Sequence, residues 1–222
     1  MTSLSPHDQV VAAAHALAGL GLVTAFGHVS ARTDESMLIT PAADLGEIDA
    51  SGLVEVPLHA TALPDGAPAE GWIHLELYRS RADVGAIARA QPPPVLAAAA
   101  TTDTLYPAHG QAAWLGRTVP VHDDARLLRS PERAQAAARR LADGEALLLR
   151  GNGAVTVGAE PGLAVARMWL LAAACEVWLS TLPSAERRLL TDTEIESWRA
   201  VQDELLPRLW RHLRRVGGSG SG

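Results

Sequence analysis

The chain has 222 residues, 48% of them hydrophobic and 20% charged, with a formal net charge of −6. That length and apolar content fit one large domain with its own core, and the acidic balance argues against a surface that tracks nucleic-acid phosphates. One cysteine, Cys175, excludes an intramolecular disulfide, and because all 19 basic residues are arginine, no lysine is available for Schiff-base or pyridoxal-phosphate chemistry.

Residues 6–19 read as a helix, with Ser5 at the N-cap, Pro6 in the first turn, and Val10, Ala13, Ala14 and Leu17 at helical spacing. Gly19 and Gly21 stop it. The segment GHVSAR, residues 27–32, opens a hairpin that turns through Asp34 and Glu35 into a strand over 37–40. A strand over 53–58 and a loop rich in proline and glycine lead to a helix over 70–81, which sets Glu70, His74 and Tyr78 one turn apart on one face. Alternation over 84–91 predicts a strand with Arg89 and Gln91 on the same side, ended by three prolines.

A helix including 97–101 follows, then a loop, a short helix and a strand through VPVHDDARLL, and a helix over 131–141. In EALLLRGNGAVTVG, two β-prone runs are joined through Gly151, Asn152 and Gly153, a hairpin signature. Two long helices over 161–180 and 191–215 complete the pattern, the second opened by a Thr191/Glu194 capping box. Its arginines at 208, 211, 214 and 215 read as the wet side of an amphipathic helix. Residues 1–216 therefore form a single domain, and the terminal GGSGSG, residues 217–222, has the composition of a flexible linker. No cationic leader opens the chain and no uncharged apolar run of 18 residues follows, so the expectation is a cytoplasmic protein without membrane contact.

Taken in order, GHVSAR, ITPA, the Glu70/His74 spacing, LYRSRADVGAI, PAHGQAAWLG and LLRGNGAVTVG resemble the landmarks of the class II aldolase/adducin family over about residues 8–180. The resemblance implies an α/β fold, a three-layer α-β-α sandwich around a mixed, largely antiparallel sheet, and a cyclic homotetramer with sites at subunit boundaries. In the family's sugar-phosphate aldolases, a His-x-His pair and a hairpin histidine bind zinc beside a glutamate acting as acid/base. At the matching positions this chain has Arg89, Gln91 and Asn152, and keeps only Glu70. A guanidinium has no lone pair to give and amides are poor zinc ligands, so the family zinc is expected to be lost and no cofactor is predicted. The phosphate-binding segments are replaced too, by His28, by Ala42 and Ala43, and by Pro68 and Ala69. A tyrosine that serves as an acid in the aldolases is matched by Gly110. The His28 variant resembles a branch with decarboxylase-like members acting on carboxylated or aromatic molecules.

These positions define a candidate site. Glu70, His28, His74 and His109 are the acid/base candidates, since imidazole titrates near neutral pH, and Arg89, Gln91, Asn152, Gly27 and Ser30 are the substrate contacts. Arg89 either clamps a substrate carboxylate or neutralises Glu70 as a buried pair, and Asn152 is either a ligand-binding amide or a left-handed turn residue. Trp72 and Trp114 favour a flat aromatic substrate if they line the cleft. The leading reading is a metal-independent carbon–carbon lyase for a small carboxylated or carbonyl-containing molecule without a phosphate. The alternatives are a non-catalytic adducin-like scaffold, a repurposed isomerase or cyclase, and a displaced metal site built from Glu70 and the three histidines.

Overall fold

A computed structural model of the chain describes residues 4–184 and 186–218. Helix α1, Pro6–Gly19, precedes strands β1, His28–Arg32; β2, Ser36–Ile39; and β3, Val54–Pro57. Helix α2, Gly71–Ser80, leads into β4, Ala86–Ala90, then α3, Pro93–Ala99, and the short strand β5, Thr104–Leu105. A 3-10 turn over Gly110–Leu115, strand β6, Val119–His122, and helix α4, Pro131–Leu141, come next. The hairpin of β7, Ala146–Leu149, and β8, Gly153–Gly158, is followed by α5, Pro161–Thr181, α6, Asp192–Arg199, and α7, Gln202–Gly217.

The strands form one mixed eight-stranded sheet in the order β3-β2-β1-β4-β8-β7-β6-β5. Its pairings are antiparallel except that of β6 with β7, so the expected largely antiparallel sheet is what the chain builds.

Side-chain alternation divides the apolar residues into two cores. Ala86, Ala88, Ala90, Val29, Ala31 and Ala154 join residues of α1, α3 and α5. The row of alanines on β4 keeps that face low, so that α5 lies close against the sheet. Ile87, Val155, Val157, Leu147 and Met37 join residues of α2 and α4 instead. Arg89 shares the second face with Ile87, two residues before it, and this is the face on which the candidate site is assembled.

Two sequence expectations change. The single helix over 191–215 is broken at Ala200 and Val201 because its halves have different partners, α6 packing on the 3-10 turn and α7 on α1 and α5. The boundary at 216 moves as well, since α7 runs through Gly217, which is buried against Ala16. Helix α5 is long and apolar enough by composition to cross a membrane, but two thirds of its most apolar window is covered by the rest of the chain, as befits a core helix.

Candidate functional site

Four chain segments carry the site. Strand β1 pairs with β4 so that His28 lies directly opposite Arg89, and β8 flanks β4 on its other edge. Glu70 stands at the N-cap of α2, one residue before the helix predicted to contain it. An N-cap side chain ordinarily turns back onto the first free N–H groups of its helix. That of Glu70 makes no such bond and reaches instead toward Arg89 and the hairpin.

The hairpin tip depends on its glycines. Gly151 and Gly153 take positive φ values of 69° and 83°, and a Cβ at Gly153 would come within 2.1 Å of the carbonyl oxygen of Ala90. The tip therefore packs flat on the end of β4, which brings Asn152 beside Arg89 and Gln91. Asn152 itself is not in the left-handed region, so its identity is explained by its side-chain bonds rather than by turn preference.

Those bonds close a network. Glu70 Oε2 accepts from Arg89 Nη2 at 2.9 Å, and Glu70 Oε1 accepts from Asn152 Nδ2 at 2.8 Å and from the backbone N–H of Leu128 at 3.1 Å. Asn152 Oδ1 accepts from Arg89 Nη2 and, at 2.9 Å, from Gln91 Nε2. The Glu70 side chain is 12% exposed and that of Arg89 1%, so the ion pair is largely removed from water. Burial holds the Arg89 guanidinium below its ordinary range, partly opposed by the Glu70 carboxylate. Of the two readings of Arg89, the geometry favours mutual neutralisation with Glu70, although its buried Nε has no partner.

Above this network lies a cavity of about 620 Å³. Gly27, His28, Glu70, Arg89, Gln91 and Asn152 all line it. Gly27 is required by packing as much as by any ligand, since a Cβ there would meet Val23 Cγ1 at 2.4 Å. The remaining wall is apolar, formed by Ala25, Ala42, Ala43, Pro68 and Ala69. At the mouth stand Phe26, 66% exposed, and Leu127, 42% exposed, together with Arg129. These three escaped the sequence analysis. The clue for Phe26 was its place directly before GHVSAR, while Leu127 and Arg129 lie in an irregular segment without a motif.

The other candidates sit elsewhere. Ser30 and His74 are fully buried beneath the cavity and do not line it: Ser30 Oγ bonds His74 Nδ1 at 2.7 Å and the Tyr78 hydroxyl at 2.8 Å. The rings of His74 and His28 are 5.7 Å apart. Burial, then the nearby Arg89 charge, pulls His74 down to about 3, while burial, His74 and Arg89 hold His28 well below the ordinary imidazole range. Both are therefore neutral near pH 7 rather than poised to titrate there. His109 caps the 3-10 turn outside the cavity lining. Next to it, a side chain on Gly110 would collide with the ring of Trp198, 1.9 Å from a Cβ, so Trp198 fills the space where the resemblance puts a tyrosine. Trp72 and Trp114 are core residues, Trp114 donating its ring N–H to the Trp198 carbonyl at 2.8 Å, and neither lines the cavity.

The donor set does not fit zinc. Arg89 offers no lone pair, Asn152 Oδ1 is already taken by two donors, and among the described residues no three His, Cys, Asp or Glu side chains converge on a point. Asp123 and Asp124, which follow His122, pair with Arg150 and Arg126.

A family profile described as Class II Aldolase and Adducin N-terminal domain matches residues 8–179. Among characterised proteins, the chain is 29% identical over 174 residues to a 3,4-dihydroxyphthalate decarboxylase of Arthrobacter keyseri, covering 69% of each. Among solved structures, an L-fuculose-1-phosphate aldolase from Thermus thermophilus is 28% identical with a TM-score of 0.73, covering 81% of this chain and 97% of that one. An aldolase II superfamily protein from Pseudomonas syringae superposes with a TM-score of 0.80 at 24% identity, covering 99% and 96%, a likeness of fold.

Proposed function

The chain belongs to the class II aldolase and adducin family, and from that premise we propose that it is a carbon–carbon lyase acting on a small, non-phosphorylated carboxylated molecule by decarboxylation or aldol-type cleavage. The observation that carries this reading is the Glu70 carboxylate, fixed by three donors at the floor of an open cavity. The similarity to an enzyme named for decarboxylating a hydroxylated phthalate supports a carboxylated substrate. So do the alanines and proline that stand where phosphate-binding hydroxyls are expected.

One proton itinerary serves both reactions. Glu70 takes the proton of a substrate hydroxyl, and the same proton is returned to the carbon that loses its partner. In decarboxylation of a hydroxylated ring, the phenolic proton passes through Glu70 to the carboxyl-bearing carbon, the C–C bond breaks, carbon dioxide leaves, and the electron pair restores the ring as a phenolate. In aldol cleavage the pair moves onto the neighbouring carbonyl oxygen before the carbon is protonated. The fixed positive charge of Arg89 beside Glu70 favours the developing oxyanion, strengthened by the burial of the guanidinium itself. His28, neutral and lining the cavity, supplies a hydrogen-bonding edge rather than a charge. We take the chemistry to be metal-independent, the architecture to be a three-layer α-β-α sandwich, the assembly to be a homo-oligomer, tetrameric by resemblance, and the compartment to be the cytoplasm.

A scaffold without catalysis is less well supported, because the pocket is open and its polar floor is mutually bonded, where a disused pocket tends to fill with apolar side chains. The test is turnover of hydroxylated aromatic carboxylates and of β-hydroxy keto acids, followed by carbon dioxide or aldehyde release. Glu70→Gln is expected to lose at least a hundredfold in kcat, the usual size of a general acid–base contribution, with an unchanged circular dichroism spectrum. Wild-type turnover in that variant would remove Glu70 from the mechanism and with it this reading.

A further inference from the structure

The charges around the cavity do not cancel. Glu70 and Arg89 compensate one another on the floor, and His28 is neutral, but Arg129 lines the same cavity with no ion-pair or hydrogen-bond partner among the described residues. The other arginines of the flanking segments are engaged, Arg126 with Asp124, Arg133 with the Leu127 carbonyl and Arg150 with Asp123, and Arg139, unpaired among the described residues, lies outside this cavity. Arg129 is exposed, as are its neighbours at the mouth, Phe26 and Leu127, whereas on the floor Arg89 is buried and Glu70 only slightly exposed. A guanidinium fork is thus free at the entrance while the one below is committed through Nη2.

We infer that Arg129 is the specificity-determining residue of this cavity, holding a carboxylate that the substrate keeps throughout the reaction, on a flat, largely apolar body that lies along the alanine and proline wall. This rests on the lyase reading and names its substrate class. A carboxylate that departs as carbon dioxide loses its charge on the way, so a guanidinium clamped on it would stabilise the ground state more than the transition state. The group held by Arg129 is therefore one that remains on the product, and the reacting end lies toward Glu70. The Phe26 ring and the Leu127 side chain supply the apolar contact at the mouth, and a polyhydroxylated sugar would lose water against Ala42, Ala43 and Ala69 without regaining hydrogen bonds.

The experiment is calorimetric titration of the full chain with 4-hydroxybenzoate and with its uncharged amide, for wild type and for Arg129→Gln, Arg129→Lys and Arg139→Gln. Wild type is expected to bind the acid at least tenfold more tightly than the amide. Arg129→Gln should abolish that difference, Arg129→Lys should retain part of it because a lysine restores charge but not the fork, and Arg139→Gln, which lies outside this cavity, should leave the preference in place. Equal binding of acid and amide by wild type, undiminished binding of the acid by Arg129→Gln, or no binding of either compound by wild type overturns the assignment. None of these outcomes touches the turnover test on Glu70, which fails or succeeds independently.

Discussion

Replacing Arg89 with methionine measures how much of the floor is held by the ion pair. The substitution keeps an unbranched side chain of similar reach on β4 but leaves the Glu70 carboxylate with only Asn152 and the Leu128 N–H as donors. Because the two side chains are 1% and 12% exposed, little water can replace the lost cation. Removing one partner of a buried pair costs about 3–5 kcal/mol, and at about 2–4 °C of Tm per kcal/mol for a chain of this size, Arg89→Met should melt roughly 6–20 °C lower. Adding Glu70→Gln removes the stranded charge, so the double variant should be less destabilised than the sum of the two single ones by about 0.5–3 kcal/mol. Urea unfolding followed by the fluorescence of the six tryptophans gives all four corners of the cycle. A loss below about 1 kcal/mol in Arg89→Met, or strict additivity in the double variant, would refute the description of the floor as a desolvated, mutually neutralised pair.

The hairpin glycines should respond unequally: Gly151→Ala carries only the roughly 1–2 kcal/mol cost of a left-handed backbone, its Cβ meeting Ala125 at 3.4 Å, whereas Gly153→Ala adds to that cost a Cβ forced into the Ala90 carbonyl. Equal losses on chemical unfolding would contradict the packing of that tip. Stability should also depend on pH through His28 and His74. Both are held below their unfolded value near 6.5, so the unfolded chain takes up protons first; the contribution is fully present above that pH and is lost as pH falls from there toward about 3 for His74. Each group adds a slope of about 1.4 kcal/mol per pH unit, and His74→Gln should flatten the profile by one proton, a change read from unfolding at a series of pH values. Finally, prolonged chelation should leave turnover unchanged, and elemental analysis of protein purified without a metal column should find less than one zinc per chain.

Much of the fold is legible in the sequence, because its signals are local. Proline and serine at the start of α1, the two glycines around Asn152 and the proline run after β4 each fix a boundary through backbone geometry alone. Strand alternation likewise placed Arg89 and Gln91 on one face, and both line the cavity with Glu70 and Asn152. What local signals could not give was depth. Ser30 and His74 lie on the correct face but one layer too low, since nothing in GHVSAR distinguishes a side chain that reaches the cavity from one that stops at Tyr78. The same limit hid Phe26, Leu127 and Arg129, whose exposure is decided by segments distant in sequence, and the break between α6 and α7, which follows from two separate packing partners.

The tryptophan of α6 that fills the space above Gly110 limits what position 110 can become. A tyrosine introduced at position 110 would find its volume already taken by an indole that also belongs to the packing of Trp114. No side chain at position 110 is therefore accommodated by a one-step change. Room for one is made only by a smaller residue at 198, a permissive substitution that loosens the packing of the helix on Trp114.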